Sequence, residues 1–230
     1  MGMVNGCPNC IVTWIWPNIF ELESFTVYPG GQSPVLSARK IRRFCAVSSG
    51  FPLLYLIFKG ANQDLTANPI EYVSQFTGWW SLTFLIITLS ITPAREIFNQ
   101  PRLFPLRRTF GLVAFSYASL HMVMWAFVDQ LLDVQAIFQD VTERPFIYLG
   151  VAAYIGLTLL ALTSRWSIRR RIGERSWERL HRGIYVVSLL AVSHFFILVK
   201  RDTTEPLLFC FILFVLLAYR AIPKILSMTR

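Results

Sequence analysis

The stretch RRTFGLVAFSYASLHMVMWAF, Arg107 to Phe127, decides how this chain is read. From Thr109 to Val128 no residue carries a formal charge. About 20 apolar residues are what a helix needs to cross a bilayer. Two arginines stand at the start of the stretch, and one histidine, His121, stands deep inside it. A second stretch, SWERLHRGIYVVSLLAVSHFFILV, Ser176 to Val199, has the same character, with His181 near its start and His194 near its end. These are the only 3 histidines in 230 residues. Imidazole inside a membrane is rare and marks a functional site by default.

The rest of the chain agrees with a membrane setting. Only 15% of its residues are charged and 54% are hydrophobic, with a mean hydropathy of +0.50. A soluble domain would carry about a quarter charged residues. The net charge is +9. In a soluble protein that would suggest nucleic acid, but cytoplasmic loops of membrane proteins collect Lys and Arg, and no nucleic-acid partner is expected.

Six segments predict an all-α, polytopic membrane protein of six transmembrane helices. They lie at about 41–58, 72–94, 109–128, 146–164, 176–199 and 206–219. Helices are required because an open sheet cannot satisfy its backbone in lipid. The domain is placed at 37–225. Residues 1–36 form an N-terminal arm outside it, without clear period and rich in Pro and Gly, and no function is assigned to them. Cys7 and Cys10 form a lone CxxC there, a weak signal for metal or redox chemistry.

Arginine and lysine fix an expected orientation. Basic residues cluster before the first segment, between the second and third, between the fourth and fifth, and after the sixth. That accounts for 18 of the 22, so both termini should be cytoplasmic. The opposite loops carry Asp129, Asp133, Asp140 and Glu143 among others. An acidic face of this kind suits a docking protein, as it suits any solvated loop.

Depth relates the histidines. At about 1.5 Å of rise per residue, His121 lies ~20 Å in from Arg107 and Arg108. His194 lies roughly 18–22 Å in from Arg179 and Arg182. Two imidazoles at one depth on two helices suit a bis-histidine haem, since neutral imidazole is a good iron ligand. Small residues nearby, Gly111, Ala114, Ala118 and Ser119 on one helix and Gly183, Ala191 and Ser193 on the other, would make room for it, and would equally allow plain helix packing. A buried hydrogen-bonded histidine, a proton relay and a metal site are the other readings. Zinc is disfavoured because no Cys or carboxylate shares that depth. His181 sits near the inner surface, ~20 Å from His194 along the axis and about 140° around a straight helix. The symmetric position on the other helix holds Arg107 and Arg108. The inner end is therefore a haem with another partner, an open-coordinate haem, or an anionic cofactor or electron donor held by Arg107, Arg108, Arg179 and Arg182.

The run from Arg107 through Gly111, Phe115 and Tyr117 to His121 resembles the ferric-reductase-like transmembrane family, and within it the bacterial MsrQ (YedZ) branch. Trp177, Leu180, His181, Arg182 and Tyr185 followed by His194 are similar to that branch, as are Phe76-Thr77-Gly78-Trp79 and Ile91-Thr92-Pro93. The match covers roughly 38–222. The resemblance implies a b-type cytochrome of the bacterial inner membrane, an electron-transfer subunit of an oxidoreductase with no catalytic residue of its own. It implies one haem b or two, with iron held by His121, His194 and His181. Electrons would come from the quinone pool or a cytoplasmic flavin reductase. They would pass to a periplasmic molybdopterin sulfoxide reductase (MsrP-like) that repairs oxidised methionines. Family members are also described as carrying FMN, which no motif in this chain announces. A ferric-chelate reductase reducing metal at the outer face is the alternative, and a transporter using the histidines as a proton relay is a third reading.

Overall fold

A computed structural model describes residues 34–200 and 202–228. The expected arm, with Cys7 and Cys10, lies outside the described residues apart from its last three positions. Among the described residues every regular element is helical. Six stretches are long and apolar enough to cross a membrane: 40–61, 69–97, 101–129, 145–163, 174–198 and 204–221. Each expected segment falls within or largely on one of them.

The first span is two helices, α1 (Pro34–Ser48) and α2 (Phe51–Ala61). Gly50 and Pro52 make the break, because proline has no N–H to continue the ladder. The carbonyl of Ser49 exposed at that break accepts a bond from the buried Tyr117 hydroxyl at 2.8 Å. The second span is α3 (Pro69–Ile97). Asn68 starts it, its side chain accepting from the Glu71 N–H at 3.3 Å, as N-cap residues do. Pro93 sits inside α3 and leaves the carbonyl of Leu89 without its helical donor. Arg220 supplies one: its Nη2 donates to Leu89 O at 2.6 Å.

A short 3₁₀ turn, Pro101–Leu103, leads into α4 (Phe104–Val123). This helix closes with a π-helical turn, Met124–Asp129, starting three residues after His121. Single π turns inside helices occur mostly near functional sites. Leu131 and Leu132 follow at φ of 49° and 59°, a left-handed conformation that costs a non-glycine residue roughly 1–2 kcal/mol. The amphipathic α5 (Val134–Glu143) comes next, capped by the Asp133 carboxylate on the N–H groups of Gln135 and Ala136. The fourth span is α6 (Pro145–Thr163). Two short helices, α7 (Trp166–Ile172) and α8 (Glu174–His181), carry the basic connection. A turn at Arg182–Gly183 separates α8 from α9 (Ile184–Leu198), and α10 (Thr204–Met228) ends the fold.

Packing pairs these helices. α3 lies most extensively against α4, and α6 against α9. The start of α3 meets the end of α4, so the two run antiparallel. The start of α6 likewise meets the end of α9. Leu85, Leu89, Ala114, Tyr117, Val187 and Leu213 are buried where the pairs and α10 meet. Buried hydroxyls spend their protons inside their own helices: Thr88 bonds Phe84 O and Ser188 bonds Ile184 O. Apolar side chains such as Phe58, Ile155, Leu162, Val186 and Phe214 point outward, as a surface solvated by lipid tails requires. The chain is a multi-pass membrane protein.

Candidate functional site

His121 lies near the end of α4 and His194 near the end of α9, and the fold brings them together. Their ring centroids are 6.2 Å apart, with ring planes at 71°. Each ring is fixed by a neighbouring helix. His121 Nδ1 lies 2.8 Å from the backbone oxygen of Ser74 on α3, with the Ser74 hydroxyl at 3.4 Å. His194 Nδ1 lies 2.5 Å from the backbone oxygen of Phe146 on α6. A carbonyl can only accept, so Nδ1 carries the proton in both rings. In the neutral imidazole that leaves Nε2 with its lone pair free. Histidines bound to metals are oriented in this way, the second nitrogen donating to a carbonyl or carboxylate.

The spacing can be tested against a metal between the rings. Imidazole nitrogen sits about 2.0–2.1 Å from a first-row metal, and the ring centre about 1.1–1.2 Å further back, which puts two opposed centroids ~6.4 Å apart. The observed centroid separation of 6.2 Å lies at the lower end of that range. Among the described residues no three His, Cys, Asp or Glu side chains group as a metal site. An ion held by this pair would need further ligands from outside the chain, as a porphyrin supplies them.

His181 stands apart from that pair. Its ring stacks on Trp177 with centroids 4.0 Å apart and planes at 28°. Its Nε2 lies 3.2 Å from the Thr163 hydroxyl. That hydroxyl also lies 2.7 Å from Leu159 O; while it donates there it accepts from His181, with the proton on Nε2. In that arrangement His181 has the opposite tautomer to the other two. Trp177 Nε1 donates to Thr163 O at 2.9 Å, and Arg169 lies 4.5 Å over the Trp177 ring. The turn at Arg182–Gly183 replaces the straight helix on which the 140° offset was reckoned, and both His181 and His194 turn toward α6. They meet its two ends, at Thr163 and Phe146, about 26 Å apart by helical rise.

The four arginines divide. Arg108, Arg179 and Arg182 are exposed, whereas Arg107 is half-buried. Most of the small residues noted beside the histidines serve packing. Ala114 is buried and its carbonyl accepts from Ser81 at 3.0 Å; Ala118 and Ala191 pack against the core. Ser119 receives the Tyr154 hydroxyl at 3.3 Å, while Ser193 is exposed. Sequence reasoning missed Ser74 and Phe146, because a backbone acceptor leaves no side-chain signature.

Residues 52–192 match the family described as ferric reductase like transmembrane component. A Bordetella pertussis protein is 42% identical over 190 residues, covering 80% of this chain and 92% of its own length. A Rhodospirillum rubrum protein is 42% identical over 178 residues, covering 75% and 85%. A Caulobacter vibrioides protein is 39% identical over 171 residues, covering 74% and 80%. All three are named protein-methionine-sulfoxide reductase heme-binding subunit MsrQ. This chain belongs to the ferric-reductase-like transmembrane family, in its MsrQ branch. The resemblance seen in the residues around His121, His181 and His194 therefore holds over most of the chain. The name heme-binding subunit belongs to relatives that align with the part of this chain that carries all three histidines.

Proposed function

We propose that this chain is the membrane b-type cytochrome subunit of a methionine sulfoxide reductase system, with His121 and His194 holding the iron of one haem b. The observation that carries the reading is the imidazole pair: a 6.2 Å spacing with both Nδ1 protons given to backbone carbonyls. Bound haem supplies a one-electron carrier; everything else falls to the protein. Ser74 and Phe146 hold the two rings in the ligating tautomer. The apolar helices around them exclude water and lower the local dielectric, one of the protein's controls on haem potential.

His181 serves the other end of the path. It sits beside Trp177 and Arg169, among the basic loops expected at the cytoplasmic face. There it ligates a second haem through its free Nδ1 or marks the point where electrons arrive. Arg107, Arg108, Arg179 and Arg182 hold the anionic donor or cofactor, be it a quinone-pool donor, a cytoplasmic flavin reductase or FMN. Electrons leave at the acidic face to a periplasmic molybdopterin sulfoxide reductase, MsrP-like, across the inner membrane of a bacterium. Support for this partner is the name shared by the relatives; the acidic loops are compatible with it.

Optical spectroscopy with pyridine-haemochrome quantification tests the reading. Purified protein should show a low-spin b-type spectrum. His121→Ala and His194→Ala should each abolish the signal of the bis-histidine haem, while His181→Ala should affect reduction from the basic side more than that signal. A normal low-spin spectrum in both of the first two variants refutes the assignment.

A further inference from the structure

Each of the two imidazoles lies against a glycine of the neighbouring helix. A β-carbon built on Gly78 would stand 3.1 Å from Cε1 and Nδ1 of His121. One built on Gly150 would stand 2.8 Å from Nδ1 and 2.9 Å from Cε1 of His194. In both cases the carbonyl that accepts the Nδ1 proton belongs to the residue four positions earlier, Ser74 for Gly78 and Phe146 for Gly150. A helix aims the N–H of residue i at the carbonyl of residue i−4. A second donor must reach that oxygen from the side, across residue i. A side chain there crowds the approach: at Gly150 something must shift, and at Gly78 the ring must give by a few tenths of an ångström. The device occurs twice, on separate helix pairs, with donor and acceptor 47 and 48 residues apart in sequence.

We propose that Gly78 and Gly150 are positioning residues for the two ligands, each keeping open the path by which an imidazole gives its Nδ1 proton to a helix carbonyl. Their role is to fix which nitrogen faces the metal and to strengthen it as a donor. An imidazole that gives up hydrogen-bond density at Nδ1 is more basic at Nε2 and favours the ferric state. This inference rests on the haem reading above for its consequence at the iron. The glycine–imidazole contacts hold without it.

Other glycines of the same bundle provide the controls. A β-carbon on Gly156 would meet Val187 Cγ2 at 2.5 Å, a tighter contact in the same α6–α9 pair that touches no histidine. One on Gly60 would meet Leu65 Cδ1 at an ordinary 3.8 Å. The experiment uses full-length purified protein carrying its haem. It measures the midpoint potential by optical titration and the rate of haem release to an apo-globin acceptor. Gly150→Ala and Gly78→Ala should raise the potential and release haem at least tenfold faster. A tenfold shift of the ferric–ferrous preference is 59 mV for one electron. Gly150→Ala, with the closer contact, should do more, and Gly78→Ala tests the same device should Gly150→Ala fail to accumulate. Gly60→Ala and Gly156→Ala should keep the parent potential. In the unmodified protein, electron–nuclear double resonance should find an exchangeable Nδ1 proton on both axial ligands; its absence from either overturns the proposal. So does a parent potential in Gly78→Ala or Gly150→Ala, or an equal shift in Gly156→Ala. A parent protein without low-spin haem would instead defeat the haem reading.

Discussion

Arg220 and Pro93 should be energetically coupled, although they are on different helices. Pro93 deprives the Leu89 carbonyl of its helical donor, and Arg220 Nη2 fills the vacancy at 2.6 Å. Leu89 is 0% exposed, so no water can substitute. A hydrogen bond from a charged group contributes roughly 1.5–3 kcal/mol. Arg220→Met should therefore destabilise the parent fold by about that amount, plus smaller losses. Those are the bond from Nη1 to Leu216 O at 3.3 Å and the contact over the Tyr185 ring at 5.4 Å. In a Pro93→Ala background residue 93 regains its N–H and the ladder satisfies Leu89 O by itself. Only the smaller losses then remain. The double-mutant cycle isolates the Leu89 bond, with an expected coupling of ~1.5–3 kcal/mol. Steric trapping in bicelles, or reversible unfolding in mixed micelles, measures all four proteins. Additivity within about 0.3–0.5 kcal/mol, the usual figure for independent sites, would refute the reasoning.

Other consequences are open to test. The 71° between the imidazole planes leaves two iron d orbitals nearly equal in energy, so the ferric haem should give a highly anisotropic low-spin EPR spectrum; the ordinary rhombic spectrum of parallel ligands would contradict it. Thr163→Val removes the acceptor for His181 Nε2 but keeps the carbonyl that Trp177 uses. It should slow reduction from the basic side in stopped-flow while the spectrum of the His121–His194 haem stays unchanged. Asp133→Ala removes the cap of α5 and should cost about 1 kcal/mol, seen as faster hydrogen exchange at residues 134–137 and not within α4.

Much of the fold was legible because a bilayer imposes simple rules. Length and absence of charge locate six spans, since lipid forces each backbone to satisfy itself. The break at Gly50–Pro52 falls inside a segment expected as one span, and its partner was no more legible: that the Tyr117 hydroxyl would find Ser49 O depends on which way α4 is turned. Equal depth brought His121 and His194 together because helical rise is nearly constant. Azimuth was harder. The straight-helix angle between His181 and His194 failed at the turn Arg182–Gly183, where two helices meet and both rings face α6. The acceptors on Ser74 and Phe146 were illegible for a different reason, because every residue carries the same carbonyl.

What distinguishes the acceptors is the glycine four places on, and this reopens the asymmetry between the histidines. His121 and His194 each combine a helix that offers a bare carbonyl with a helix that offers the ring. The same arrangement serves α3–α4 and α6–α9, so the two histidines are related as a repeated unit that no sequence periodicity announced. His181 lacks the device. Its partner on α6 is the hydroxyl of Thr163, a weaker and rotatable group, and while that group donates to Leu159 O the histidine's proton sits on the other nitrogen. A hydroxyl can turn from acceptor to donor by giving up Leu159 O, whereas a carbonyl cannot. The His121–His194 pair is thus held in one tautomer by groups that have no alternative, as the ligand role proposed for it requires. His181 lies beside a group that can follow a change in its protonation or ligation, which suits its proposed place at the donor end.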